Sequence, residues 1–169
     1  MSRRFVSGVI MKTAVIFYSF EGHSARIAEN IKAAANADIY EIKTTDTKKR
    51  TGFSKYVWGG GQVVRGKKPP ILPLQFDPGA YDLIILGTPV WAGSPAPALL
   101  SFLDKTAIKG KKIALFCCHG GGKGKVFEKL KARLPGNNFA GEIDFQFPSN
   151  DDSAAIKQKI DEWVKSIGC

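Results

Sequence analysis

The chain has 169 residues, is 44% hydrophobic and carries a formal net charge of +10. That is one domain of ordinary size with enough apolar material for a layered core. No apolar run approaches the roughly 20 residues that span a bilayer. The three cysteines, Cys117, Cys118 and Cys169, have neither CxxC nor framework spacing, which argues against a disulfide-stapled module and a metal centre alike.

In chain order, "MSRRFVSGVI" is a poor signal peptide, because Lys12 interrupts it and a strand follows at once. Residues 1–11 are read as a loose extension, Met11 as a candidate start, residues 12–169 as one domain and the location as cytoplasmic. Strand one is expected at Thr13–Tyr18, "TAVIFY". A polar loop, "SFEGHS", leads into a helix over Ser24–Ala35 with Ile27, Ala28 and Ile31 on one stripe. Strand two, Asp38–Lys43, is more polar. Residues 44–81 must cross to the next strand. Within them "TGFSKYVW" suits two helical turns ended by the glycines at 59–61, and "KKPPILPLQFDPGAY" suits an extended path.

From Lys48 to Lys68 there are seven basic residues and no acidic ones. Such a run fits an acidic partner, nucleic acid, an anionic surface or a solvated face. Strand three is expected at Asp82–Gly87, followed by "GTPVWAGSPAP" and a helix carrying Leu99, Leu100 and Leu103. Strand four is Lys112–Cys118, followed by "CHGGGKG" and a helix with Val126, Phe127, Leu130 and Leu134. Strand five, Glu142–Phe147, alternates Ile143, Phe145 and Phe147. The last helix places Ile156, Ile160, Trp163, Val164 and Ile167 at helical spacing, with Trp163 read as core.

Strands one, three and four are apolar on both faces, as in the centre of a parallel sheet, while two and five suit its edges. The reading is a doubly wound α/β protein in three layers, with five parallel strands in the order 2-1-3-4-5. In such sheets ligands bind beyond the carboxyl ends of the strands, at the switch point. Three loops lie there. Ser19–Ser24 has hydroxyls at both ends, a glycine and a helix start, the composition of a phosphate cradle. Gly87–Pro97 offers Val90, Trp91 and Ala92, with Trp91 a platform for a flat ring. Cys118–Gly124 has three consecutive glycines that admit a ligand to the backbone. It is not a phosphate-binding Walker loop, since His119 and Val126 occupy the positions that would need Gly and Ser or Thr.

In this order and at these strand ends, "YSFEGHS", "LGTPVWAGSPAPALLSFL" and "GKKIALFCCHGGGKG" resemble the three cofactor loops of the flavodoxin family, over about Lys12 to Ile167. The resemblance implies non-covalent FMN and redox chemistry. Ser19, Phe20, Glu21, Gly22, His23 and Ser24 would then hold the phosphate. Thr88, Pro89, Val90, Trp91 and Ala92 would line the ribityl chain and ring. Cys118, His119, Gly120, Gly121 and Gly122 would reach the ring's polar edge. The chain departs from the family at Glu21, where flavodoxins commonly have Thr and where the carboxylate is expected to point outward. It also lacks the tyrosine that usually covers the outer ring face, leaving that face open or covered by Tyr56 or Trp58. Its basic charge differs from the acidic character of small electron carriers and would ease flavin reduction.

The functional expectation is an FMN-binding redox protein that passes electrons to a partner protein or a small-molecule acceptor, with an acidic partner suited to segment 48–68. The alternatives are an NAD(P)H-dependent quinone-type reductase and a flavin-free binding module of the same fold. A phosphorylation receiver lacks its acidic residues here. A nucleic-acid binder, suggested by Phe53, Tyr56 and Trp58 in the basic run, leaves the three loops unexplained. No residue is nominated as a general acid or base beyond His119, a candidate proton donor near the ring.

Overall fold

Runs such as Ala14–Phe17, Leu83–Leu86 and Ile113–Phe116 are buried on both sides and form central strands for that reason. The computed structural model describes residues 11–46, 53–66, 68–147 and 153–169. In the helix over 53–64 it describes side chains only from residue 58 onward, Gln62 excepted. The residues expected to form the loose extension lie outside these, apart from Met11.

The elements are β1 (Thr13–Tyr18), α1 (His23–Ala35), β2 (Asp38–Ile42), α2 (Phe53–Val64), β3 (Leu83–Trp91), β4 (Ser94–Pro95), α3 (Pro97–Lys105), β5 (Lys112–His119), α4 (Val126–Arg133), β6 (Asn138–Gln146) and α5 (Ser153–Ser166). Five strands pair in parallel in the order β2-β1-β3-β5-β6, and β4 pairs antiparallel with β3. This is the expected doubly wound sheet with one small strand added. The β1–β3 switch point falls where the apolar patterning placed it.

Alternate residues of each central strand feed two cores. Ile16, Leu86, Leu115 and Cys117 pack with Leu99, Phe102, Val126 and Leu130 of α3 and α4. Val15, Phe17, Ile85 and Phe116 pack with Ile27 and Ile31 of α1 and Ile160, Trp163 and Val164 of α5. Among the described residues, no helix is long and apolar enough to cross a membrane.

Two expectations are corrected. The glycines at 59–61 do not end α2, which continues to Val64. Its stop is Gly66, at φ 61°, whose N–H bonds the Val63 carbonyl at 3.1 Å. Helical glycines cost about 1 kcal/mol each relative to alanine, and here Gly59 lets the helix backbone lie on an indole ring. Strand three does not end at Gly87 but runs to Trp91, because β4 pairs Val90 with Pro95 and Trp91 with Ser94. The hairpin between them is Ala92–Gly93, both at positive φ (49° and 67°), which matches the twist of a two-residue turn.

Candidate functional site

The loop after β1 closes on itself. Ser19 Oγ accepts hydrogen bonds from the Gly22 and Ala25 N–H groups, each at 3.2 Å. Gly22, at φ 95°, turns the chain into α1, and its carbonyl takes the Arg26 N–H at 3.0 Å. The first-turn N–H groups of His23 and Ser24 point out of the helix start, where the helix dipole favours an anion. No acidic residue stands in that first turn. Ser24 is 2% exposed and its Oγ is buried beside the Cys118 thiol, with no other hydrogen-bond partner. A thiol is a weak hydrogen-bond partner, so a hydroxyl at the floor of the cradle fits a phosphate oxygen.

Trp91, at the end of β3, projects into an aromatic cluster. Its indole meets Tyr18, Phe20 and Trp58 edge-on, with ring centres 6.0, 5.5 and 5.4 Å away. Phe20 in turn stacks on Trp58 at 5.7 Å. Thr88 plays a different part from the one expected: it is fully buried, its hydroxyl accepting the Ala96 N–H at 2.9 Å and donating to the Pro89 carbonyl at 2.8 Å. It braces the hairpin from beneath.

The loop after β5 is clipped to that hairpin. The Lys125 N–H bonds the Gly93 carbonyl at 3.2 Å, and Lys129 Nζ bonds Ser94 Oγ. A Cβ on Gly124 would fall 2.6 Å from the Gly93 Cα, so the two loops meet backbone to backbone.

Between the three loops lies a cleft of about 480 Å³, within the range of small-molecule and cofactor sites. The structure brings together on its walls Ser19, Phe20, Glu21, His23 and Ser24 from the first loop, Pro89, Val90, Trp91 and Ala92 from the second, and Cys118, His119 and Gly120 from the third. Gly22, Thr88, Gly121 and Gly122 are not on the walls, though all four belong to the loops that form them. Glu21 is exposed. Three further wall residues escaped the sequence reading: Gly59, Gly60 and Phe147. Phe147 lies parallel to the His23 ring at 4.4 Å. Its signal was the last position of the alternating Ile143–Phe145–Phe147 series, read only as core. The glycines at 59–60 were read as a helix stop. Trp58 is joined to Phe20 and Trp91, whereas the Tyr56 side chain lies outside the described residues, as does part of the basic segment 48–68.

Charge in the cleft is carried by few groups. Burial pushes the Cys118 thiol up to about 12, against the pull of the Ser24 hydroxyl beside it, so it is no thiolate nucleophile at neutral pH. His119, whose side chain is 9% exposed, has Nε2 3.0 Å from Asp144 Oδ2, and Lys123 Nζ lies 3.2 Å from Asp144 Oδ1. Burial alone would raise the Asp144 carboxyl, but the hydrogen bonds from His119 and Lys123 outweigh it and hold it below the usual range.

A family model described as flavodoxin matches residues 12–167. Similar folds include a flavoprotein from Lactobacillus acidophilus, solved in complex with FMN. It is 26% identical, with a TM-score of 0.69, over 79% of this chain and 93% of that one. A candidate flavoprotein from Bacteroides eggerthii is 23% identical, with a TM-score of 0.75, over 94% and 99% of the two chains. The two-electron reduced flavodoxin of Megasphaera elsdenii is 22% identical, with a TM-score of 0.56, over 91% and 99%. With its sheet order, its three loops at the switch point and a family match over nearly its whole length, the chain belongs to the flavodoxin family.

Proposed function

We propose that the cleft binds FMN non-covalently and that the chain is a flavodoxin-like redox protein transferring electrons through it. The observation that carries this reading is the buried Ser24 Oγ at the start of α1, held by no partner stronger than the Cys118 thiol, on a cleft that Trp91 also lines. The flavin, when bound, supplies one- and two-electron transfer. The chain supplies position and electrostatics. Ser24 and the first-turn N–H groups hold the phosphate, with Ser19 bracing the loop. Trp91 offers an apolar platform to the ring, with Tyr18, Phe20 and Trp58 fixing the indole's orientation. The backbone at His119 and Gly120 meets the ring's polar edge. Cys117 and Cys118, adjacent, buried and unpaired, suit a reducing compartment, in keeping with a cytoplasmic protein that meets its redox partner in solution.

A second reading within this one is an oxidoreductase that takes hydride from a reduced nicotinamide and passes it to a quinone-type acceptor. It is favoured by the loop after β5, where Gly121 and Gly122 are exposed and have open space around them in place of an aromatic cover. The test is a visible absorption spectrum of the purified protein with added FMN, followed by stepwise reduction. Bound flavin is expected. Failure to bind it in excess would overturn the proposal. Bleaching by reduced nicotinamide in a single two-electron stage would select the oxidoreductase, and two separate stages the one-electron carrier.

A further inference from the structure

Asp144 is held below the usual carboxylate range, with burial opposing and the hydrogen bonds from His119 and Lys123 prevailing. At neutral pH it is therefore a carboxylate and can only accept. Its 3.0 Å contact with His119 Nε2 requires that nitrogen to carry hydrogen. The tautomer is thereby assigned: Nδ1 alone gains or loses a proton, bare in the neutral imidazole and a donor in the imidazolium. Nδ1 is also buried without a partner, on a residue of the cleft wall. The His119 carbonyl accepts the Phe147 N–H at 2.8 Å, which fixes the backbone there, and the Asp144 contact holds the ring. The β5–β6 register sets Asp144 opposite Cys117, on the same face of the sheet as His119.

Building on the FMN reading, we infer that His119 Nδ1 contacts the polar edge of the bound flavin and that Asp144 is its positioning residue, so that reduction of the cofactor is coupled to protonation of His119. A bare Nδ1 has no hydrogen to offer the acceptor atoms of the oxidised ring edge. Negative charge added to the ring favours the imidazolium, whose Nδ1–H donates to it. In this step two electrons come from an external reductant and two protons from water, one to a nitrogen of the flavin ring and one to Nδ1, and no bond forms between protein and flavin. The charged and titratable groups around the pair are Glu142 of β6, itself paired with Lys131 of α4, Lys123 of the loop, Cys117 of β5 and Lys159 of α5, whose Nζ reaches the Asp144 carbonyl at 2.8 Å. Lys123 shares the carboxylate but is half exposed, which leaves His119 as the buried partner.

The experiment uses the FMN-loaded protein, reduced with dithionite, in wild-type, His119→Gln and Asp144→Asn forms. The midpoint potential is followed against pH, and the His119 ring nitrogens are followed by NMR. In the wild type, the slope of potential against pH is expected to change at the His119 titration. The proton affinity of His119 should rise about tenfold on reduction, as for a charge-assisted hydrogen bond gained. His119→Gln should lose that change of slope while keeping the flavin, and Asp144→Asn should move it to lower pH. An unaltered profile in His119→Gln would overturn the inference while leaving FMN binding in place. So would a neutral wild-type ring protonated at Nδ1, a result that does not depend on any variant folding. A wild-type protein that fails to retain FMN would overturn both readings, and that is read before any potential is measured.

Discussion

A Cβ on Gly59 would sit 3.3 Å from the Trp91 indole, so α2 lies against the ring with little room for a side chain at position 59. The helix packs against the ring at Gly59, and Phe20 and Trp58 meet it at steep angles. Replacing Gly59 with Leu should push the indole aside, shift tryptophan fluorescence and weaken FMN binding at least tenfold, by loss of ring packing. Gly61→Ala, in open space on the same helix, should instead stabilise the protein by up to about 1 kcal/mol with affinity unchanged. Equal effects of the two would show that the Gly59–Trp91 contact is unimportant.

Ser24→Ala separates the free protein from the loaded one. The hydroxyl is buried with only the Cys118 thiol beside it, so its removal should change the stability of the free protein by no more than ~1 kcal/mol. FMN affinity should fall about tenfold, the loss of one hydrogen bond to a charged group. Riboflavin, which has no phosphate, should bind both forms equally. Calorimetric titration with the two ligands decides; a matching loss for riboflavin would remove Ser24 from the phosphate site.

Trp91→Ala should weaken FMN and riboflavin alike, by about tenfold or more from the lost ring contact, and should shift the flavin potential. The contrast with Ser24→Ala assigns the two ends of the cleft. Unchanged affinity and potential would take Trp91 out of the site.

Gly124→Ala tests the junction of the two loops. The new Cβ would fall 2.6 Å from Gly93 Cα at a residue with φ 54°, so strain and collision add. A loss of ~2 kcal/mol or more in urea unfolding is expected, with FMN binding weakened because the hairpin and the β5 loop part. A neutral result would mean that the loops re-close at no cost.

The alkaline limb of stability should depend on Tyr81. Burial, then its hydrogen bonds with Tyr40 at 2.6 Å and Asp38 at 2.7 Å, raise its phenol well above the ordinary value. The neutral form is favoured in the fold, so this contribution is full below about pH 10, the unfolded value, and is lost as pH rises beyond it. Tyr81→Phe should cost about 1 kcal/mol at neutral pH and flatten the fall in stability above pH 10, as read by urea midpoints across that range.

Much of this molecule was legible along the chain. The sheet order followed from which strands are apolar on both faces, since only a strand covered on both sides can lack alternation. The three loops followed from where those strands end. The sequence alone determined the family, the switch point and the residue types on the cleft. What it could not determine depends on contacts between distant segments. Gly59–Gly61 signals a helix stop unless Trp91, far along the chain, is waiting to pack on the backbone. Thr88 reads as a ligand contact until the Ala96 N–H takes its hydroxyl. Phe147 reads as core until His23 stacks on it. The contact that orients the His119 ring exists only because β6 brings Asp144 beside it. Local pattern records which face of an element is apolar, whereas the partner that satisfies a given donor, ring or bare backbone is decided by tertiary packing, where close approach and burial fix which groups must pair.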